Sequence, residues 1–117
     1  MSETEKDIFC RIVAGELPAE KVAEGGSWIA IRDIRPQSPS HILIVPRQHI
    51  AGVEELTDSS REIAADLLLA AKEVAGKLGL SSGYRLIINQ GDHGGQLVPH
   101  LHVHLLGGKK LGPKIVS

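Results

Sequence analysis

The fold of this chain is decided by one ten-residue stretch, Pro99-His100-Leu101-His102-Val103-His104-Leu105-Leu106-Gly107-Gly108. Histidines alternate there with apolar residues, and a period of two is typical of a β-strand whose two faces differ. We expect Leu101, Val103 and Leu105 to enter a core and the three imidazoles to project together from the opposite face. Proline suits the first position of such a strand because it has no N–H for a sheet ladder.

A row of imidazoles is suited to chemistry near neutral pH, where histidine titrates and its neutral ring is a nucleophile. One ring can attack while its neighbours orient it and bind the charge that develops. A His-x-His pair on a strand can also offer two nitrogens to zinc. A surface strand whose histidines only fill polar positions is disfavoured, because three of the six histidines in the chain lie within five residues.

The residues around this stretch resemble the histidine-triad family. His100–Leu106 fits the pattern His-φ-His-φ-His-φ-φ, and the glycines that follow resemble the branch called histidine triad nucleotide-binding proteins. The resemblance covers nearly all of residues 7–113, including the segments 33–46, 83–89 and 94–96. It implies an α+β fold, with about five antiparallel strands in one sheet, one long helix and one short helix. It also implies a two-fold homodimer in which the two sheets join.

The composition indicates a single domain, residues 1–117, with a flexible start at 1–6 and a short tail at 114–117. Hydrophobic residues make up 42%, aromatic residues 3%, and the net charge is −1. This charge gives no basic field for a nucleic acid polymer, and so few aromatics disfavour a base-stacking platform. A single cysteine excludes a disulfide framework. Residues 1–6 lack a signal-peptide core, and no apolar run approaches the ~20 residues that span a bilayer. We therefore expect a cytoplasmic protein that does not engage membranes.

The remaining elements follow from local patterns. We predict a short helix over 7–14 capped by Asp7, a hairpin of strands 21–24 and 27–32, and a central strand over 41–46 because that segment is apolar on both faces. A long helix is expected over 60–78, preceded by a capping box of Ser59 and Glu62 and ended by Gly79. A further strand is expected over 83–89.

The resemblance implies a nucleotide site. The aspartate of the family that binds the ribose hydroxyls matches Asp33, and Ile34 would lie beside the sugar and base. Other matches pack against the base (Ile12, Leu17, Ile31) or contact phosphate or ribose (Asn89, Gly95, Gln96). Three glycines in residues 89–96 would let backbone N–H groups turn toward an anion. Leu97 is a departure, since the family often has serine, threonine or glutamate there, and only its backbone N–H can serve.

The expected reaction is nucleotidyl transfer to histidine, followed by hydrolysis. His102, which has an imidazole on each side, would attack the phosphorus of a purine nucleoside 5′-phosphoramidate. His104 and the loop N–H groups would stabilise charge on the phosphoryl oxygens. The carbonyl or side chain of His100 would hold the tautomer of His102, with His41, by resemblance the fourth active-site histidine, behind it. No metal or cofactor is needed for this chemistry, and His49 is interpreted as an ordinary loop residue.

Three alternatives stay open from the sequence. A dinucleoside polyphosphate hydrolase shares the triad, although the Gly107-Gly108 continuation favours the other branch. A zinc-binding module would retain metal after dialysis, but too few cysteines or carboxylates flank the triad to complete four ligands. A nucleotide-binding adaptor would show little turnover. The amine leaving group and the preference for adenine or guanine do not follow from the sequence.

Overall fold

The computed structural model describes residues 6–113, so the expectations for residues 1–5 and for the tail 114–117 fall outside it. A five-stranded antiparallel sheet has the strand order β1-β2-β3-β5-β4. The α+β prediction is confirmed. Within residues 6–113 no helix is long and apolar enough to cross a membrane. The elements are α1 (Ile8–Val13), β1 (Lys21–Glu24), β2 (Trp28–Arg32), β3 (Ser40–Pro46), α2 (Arg61–Lys77), β4 (Arg85–Ile87) and β5 (Val103–Gly107).

The central strand β3 is covered on both faces, as its apolar sequence predicted. Ile42 and Ile44 point toward α2, and Leu43 and Val45 point toward α1 and the ring of Phe9. Full burial of such a side chain contributes roughly 1.5–3 kcal/mol. Because β3 is held from two sides, its neighbour β5 lies on a rigid support.

The helix α1 brings an aromatic ring to the sheet. Asp7 caps it, since its Oδ1 accepts a hydrogen bond of 2.8 Å from the Cys10 N–H. Phe9 is the residue of α1 that is buried, whereas Ile8 is 47% exposed. The short helix is therefore confirmed, and Phe9 anchors it to the sheet.

The helix α2 packs one stripe of leucine, valine and alanine against the sheet. The predicted capping box is displaced: Ser60 Oγ accepts from the Thr57 N–H at 2.8 Å, around a 3₁₀ turn over Asp58–Ser60. This turn precedes the helix and takes the role expected of Ser59 and Glu62. The predicted end is confirmed, because Gly79 has φ +72° and the next N–H returns to the Ala75 carbonyl.

Two strands are shorter than predicted. The strand β4 has three residues instead of the expected 83–89, and β5 begins at Val103, so His100 and His102 precede it. The chain bends before β5, since the His100 N–H donates to the Val98 carbonyl at 2.8 Å and the Leu101 N–H donates to the Ile50 carbonyl at 2.6 Å. These bonds replace a regular sheet ladder. The three triad histidines therefore do not share one strand face.

Candidate active site

The ring of His102 is fixed by a main-chain carbonyl. Its Nδ1 lies 2.7 Å from the His100 carbonyl oxygen, which can only accept, so Nδ1 carries the proton. Its other nitrogen, Nε2, makes no hydrogen bond within residues 6–113 and keeps its lone pair. The ring packs against those of Phe9 and His104, each with a centroid separation of 5.0 Å. His102 is 9% exposed.

A second chain of hydrogen bonds fixes the opposite tautomer in His104. The backbone N–H of Gln37 donates to His41 Nδ1 at 3.0 Å, so the proton of the neutral His41 ring is on Nε2. His41 Nε2 lies 3.0 Å from His104 Nδ1 and donates to it. The neutral His104 ring therefore carries its proton on Nε2. Neighbouring rings thus offer different groups, a lone pair on His102 and an N–H donor on His104.

Burial keeps the rings of His104 and His41 neutral. Desolvation, followed by the neighbouring rings of His102 and His41, lowers the pKa of His104 from 6.5 to about 4. Burial also lowers the pKa of His41, although the Asp33 carboxylate 3.5 Å away acts in the opposite direction. Both imidazoles are uncharged at pH 7, as the relay of hydrogen bonds requires.

The expectation that all three imidazoles project together is wrong for His100. Its ring is 0% exposed, and its Nε2 donates to the Pro46 carbonyl at 3.1 Å. Its Nδ1 faces both carboxylate oxygens of Asp7 at 3.1 Å, on the side of α1. Burial lowers the pKa of His100, partly offset by these two partners. His100 acts on His102 through its carbonyl, while its side chain belongs to another set of residues.

That set is called here the N-terminal cluster: Asp7, Cys10, His49 and His100. Cys10 Sγ lies 3.4 Å from His49 Nδ1 and 3.6 Å from His100 Nδ1, and His49 Nδ1 lies 3.1 Å from Asp7 Oδ2. The interpretation of His49 as an ordinary loop residue is wrong, as is the expectation that too few ligands flank the triad. Their separation in sequence, 39 residues between Cys10 and His49 and 90 between Cys10 and His100, hid this contact.

The acid–base properties of the cluster follow from its surroundings. Burial raises the pKa of the Cys10 thiol. Burial would also raise the pKa of Asp7, but the hydrogen bond from the Cys10 N–H and the nearby His100 outweigh it, so the pKa lies below 3.8. A second group with potential metal ligands is Asp33, His41 and His104, whose nitrogens already take part in the hydrogen-bond relay. Of the two groups, the N-terminal cluster offers four donor atoms and the other offers three.

A cavity of about 590 Å³ opens beside His104 and His41. Asn89 lines it, as do the cationic side chains of Arg85 and Lys109, which suit an anionic ligand. His102 is not part of this lining. The cavity reaches the proton-donating ring of the pair, His104, whose centroid lies 5.0 Å from that of His102.

Two of the expected nucleotide-binding residues lie near these rings. Asp33 accepts from the Arg35 N–H at 2.8 Å, as a turn-forming aspartate does, and its other oxygen faces His41. Asn89 lines the cavity and donates to the Gly94 carbonyl at 2.7 Å. These side chains belong to the same region as His41 and His104, as the sequence indicated.

The glycine-rich loop differs from its expected role. The N–H groups of Gly95 and Gln96 bond to carbonyls inside the loop, so they do not face an anion. The Gln96 amide is also engaged, since its Oε1 accepts from Gly91 N–H and its Nε2 donates to the Ala51 carbonyl. The backbone N–H of Leu97 makes no hydrogen bond within residues 6–113, while its side chain is 93% exposed. Leu97 N–H is thus one loop donor that is available to a ligand.

The apolar residues expected around the base fall into two groups, one packed beside Phe9 and one exposed to solvent. Ile31 is 3% exposed and lies in a cluster with Phe9, against which Ile12 also packs. Because Phe9 touches His102, these two side chains form part of the apolar surroundings of that ring. Leu17 and Ile34 are 36% and 89% exposed, so nothing in residues 6–113 covers Ile34.

Comparison with known proteins agrees with this architecture. A family model described as the HIT domain matches residues 14–111. A HIT family hydrolase of Clostridium thermocellum is 49% identical with a TM-score of 0.92, over 96% of this chain and 98% of that one. A HIT family hydrolase of Legionella pneumophila is 46% identical with a TM-score of 0.88, over 92% and 96%. An uncharacterised HIT-like protein of Synechococcus elongatus is 46% identical over 108 residues, which are 92% of this chain and 95% of that one. With the family model matching most of its length, this chain belongs to the HIT domain family.

Proposed function

We propose that the protein is a hydrolase of the histidine triad nucleotide-binding branch, which cleaves the P–N bond of purine nucleoside 5′-phosphoramidates. The observation that carries the proposal is the pair of opposite tautomers in neighbouring rings. His102 presents a nucleophilic lone pair on Nε2, and His104 presents a donor on Nε2. Two of the similar proteins are named HIT family hydrolases, which supports a hydrolytic reaction.

In the first step, His102 Nε2 bonds to phosphorus, and the bond between phosphorus and the amine nitrogen breaks. The amine departs with one proton taken from solvent water, and the water that attacks in the second step returns one. His104 donates a hydrogen bond to the phosphoryl oxygen that gains charge. The positive charge on the His102 ring is shared with the His100 carbonyl through Nδ1–H. In the second step, water attacks phosphorus, the bond to His102 breaks, and the nucleoside monophosphate leaves.

Nucleotide binding would use groups around the cavity beside His104 and His41. The carboxylate of Asp33 is a suitable acceptor for ribose hydroxyls, and the cationic side chains near Asn89 would attract the phosphate. The Leu97 N–H would be a loop donor for a phosphoryl oxygen. A leucine side chain offers no such bond, so the amine must be recognised without a hydroxyl or carboxyl from this position.

We also propose that the protein is a cytoplasmic two-fold homodimer. The strand β4 lies at one edge of the sheet, so its outer backbone groups are available for pairing. Apolar side chains beside it are exposed: Tyr84 at 41%, Leu86 at 37% and Ile88 at 43%. Joining two such edges would give one continuous sheet across the dimer. The expected ligand is a purine nucleotide, with neither a nucleic acid polymer nor a membrane as partner.

The proposal is tested by steady-state kinetics on adenosine 5′-phosphoramidate with wild-type protein and His102→Ala. We expect turnover to fall by several orders of magnitude because the nucleophile is gone, while the affinity for AMP stays within a few fold, which shows that the site still folds. Exposed Gln48→Ala serves as a surface control. Turnover by His102→Ala near the wild-type rate would exclude the proposed mechanism.

Two further measurements separate the alternatives. Turnover on diadenosine tetraphosphate exceeding that on the phosphoramidate would assign the protein to the dinucleoside polyphosphate hydrolases. Acid-labile and base-stable labelling of the protein in a single turnover, mapped to residue 102 by mass spectrometry, detects the nucleotidyl-histidine. AMP binding without this labelled species would indicate a nucleotide-binding adaptor.

A further inference from the structure

Three cationic side chains line the cavity beside His104 and His41, and within residues 6–113 none of them has an acidic partner. Arg85 is half-buried on β4, whereas Lys109 and Lys110 are exposed in the segment that follows β5. Other cations of the chain form ion pairs with neighbouring carboxylates: Arg32 with Glu20, Arg47 with Glu24 and Arg61 with Asp58. The cavity therefore gathers positive charge that the described part of the protein does not neutralise.

The register of the sheet places Arg85 close to the reacting rings. Arg85 pairs with Leu106 on β5, and Leu106 pairs with His41 on β3, so the three residues form one row across the sheet. The next row contains His104 and Ile87. Arg85 is thus a diagonal cross-strand neighbour of His104, at roughly 7–8 Å. Both rows face the cavity, on the side of the sheet opposite α2.

A hydrogen bond from Arg85 holds the lysine-bearing segment against β4. Its Nη2 donates to the Gly112 carbonyl at 2.6 Å. A guanidinium has five N–H donors, and this is the bond that Arg85 makes within residues 6–113. Partial burial of a charge with unused donors is unfavourable, and an anion in the cavity would offset the cost.

The charge of the cavity exceeds that of the phosphorus group expected beside it. A nucleoside 5′-phosphoramidate substituted on nitrogen has one ionisable oxygen, and therefore one negative charge at pH 7. The carboxylate of Asp33, 3.5 Å from His41 Nε2, adds a second negative charge. Against three cations, one positive charge remains uncompensated. Such a cavity attracts a further anion and repels a cationic group.

The cavity also has room for more than the phosphoryl group. Its volume is about 590 Å³, and pockets for small ligands typically measure about 300–1,000 Å³. An adjoining cavity of about 510 Å³ is lined by the same three cations, and no carboxylate lines either one. A substituent that extends from phosphorus along this side of the sheet would meet only positive charge.

We propose that the amine released from the nucleotide carries a carboxylate, as an amino acid does, and that Arg85, Lys109 and Lys110 bind that carboxylate. The inference rests on the proposed P–N hydrolysis and adds the chemical class of the leaving group. When the P–N bond breaks, the nitrogen keeps the electron pair and takes one proton from solvent water. The amino acid leaves as a neutral amine with its carboxylate unchanged.

The test compares two adenosine 5′-phosphoramidates, one substituted on nitrogen with glycine and the other with glycinamide. The two substituents have nearly the same size, but only glycine brings a negative charge. We expect kcat/KM for the glycine adduct to be at least about tenfold higher at low salt. At 1 M NaCl, where charges are screened over about 3 Å, the preference should largely disappear.

Variants of Lys110 assign the preference to the cavity. We expect Lys110→Gln to lower the ratio of the two kcat/KM values about three- to fivefold, and Lys110→Glu to lower it further. Because the ratio is the readout, effects common to both substrates cancel. The matched control is Lys72→Gln, an exposed lysine of α2 outside the cavity, which should keep the wild-type ratio. Light scattering checks that each variant has the molecular mass of the wild type.

Binding measurements distinguish failure of this inference from failure of the proposed hydrolysis. Calorimetric titration of His102→Ala, which removes the proposed nucleophile, should show a lower Kd for the glycine adduct than for the glycinamide adduct. Equal kcat/KM and equal Kd values for the two adducts would overturn the inference and leave P–N hydrolysis standing. If neither adduct is hydrolysed, the proposed function fails, and the two Kd values still decide whether the cavity binds a carboxylate.

A second anionic group could also belong to the nucleoside. Adenosine 3′,5′-bisphosphate tests this source, because it adds a phosphate to the ribose of AMP and has no amine. We expect it to bind no more tightly than AMP. If the 3′-phosphate lowers the Kd and the glycine carboxylate does not, the cations serve the nucleoside and the inference is overturned.

Discussion

Burial of His104 makes the stability of the protein depend on pH below neutrality. Its pKa is lowered to about 4 in the folded state, against 6.5 for an unperturbed ring. Between these values the unfolded chain binds a proton that the folded chain does not. By linkage, the free energy of unfolding therefore falls as the pH falls from 7 toward 4.

The size of the effect follows from the two pKa values. A full shift would remove about 1.8 kcal/mol of stability between pH 7 and pH 5. The ring is partly exposed at the cavity, and solvent screening reduces this figure, so we expect about 1 kcal/mol from His104. His41 and His100, whose pKa values are also lowered, add to the total loss in the wild type with the same sign.

The assay is urea unfolding at pH 7 and pH 5 for wild type and His104→Gln. Glutamine does not titrate, so the difference in stability between the two pH values should shrink by about 1 kcal/mol. Ile44→Val, in the strand beside β5, is the control: it should lower stability by about 0.5–1.5 kcal/mol at both pH values alike. The reasoning is refuted if His104→Gln and wild type lose the same stability on acidification.

Three further predictions concern backbone and edge positions. Gly94→Ala should destabilise the loop by about 1–3 kcal/mol and weaken AMP binding, because the new Cβ would collide with the carbonyl of Gln90; urea unfolding and calorimetric titration measure both effects. Gly76→Ala, in open space within α2, should instead raise stability by about 0.5–1 kcal/mol in the same unfolding assay. Leu86→Lys places a charge on the exposed edge strand, and light scattering after size exclusion should then report monomers, whereas we expect a dimer for the wild type. A wild type that is monomeric at all concentrations would contradict the last of these.

Local patterns were sufficient for most of the fold. The apolar run of β3 predicted a doubly covered central strand, and the glycine after α2 predicted the end of that helix, because both depend on neighbouring residues. The start of α2 was predicted to within one residue, but its capping box was misplaced, since Thr57 and Ser60 form the box two residues earlier. Several side chains just before α2 can accept a hydrogen bond from the backbone, and the sequence does not determine which of them forms the cap.

The site was predicted less completely, because its decisive contacts are long-range. The residues near Cys10 in sequence do not indicate that it contacts His49 and His100. The available signal was only an aspartate and a cysteine three residues apart at the start of a helix. The role of the Gln37 N–H in setting a histidine tautomer also depends on a turn whose geometry the sequence leaves open.

The alternation of histidines in the triad predicts three rings on one strand face, but the structure separates the His100 ring from the other two. A bend before β5 places the His100 ring on the side of α1, while its carbonyl stays within reach of His102. The same residue then takes part in two structures, one through its side chain and one through its main chain. A change at the His100 ring that shifts the backbone of this residue would also move the acceptor that fixes the tautomer of His102. The first histidine of the triad is therefore constrained by the N-terminal cluster as well as by the reaction, and substituting it should disturb both the position of α1 and the orientation of the nucleophile.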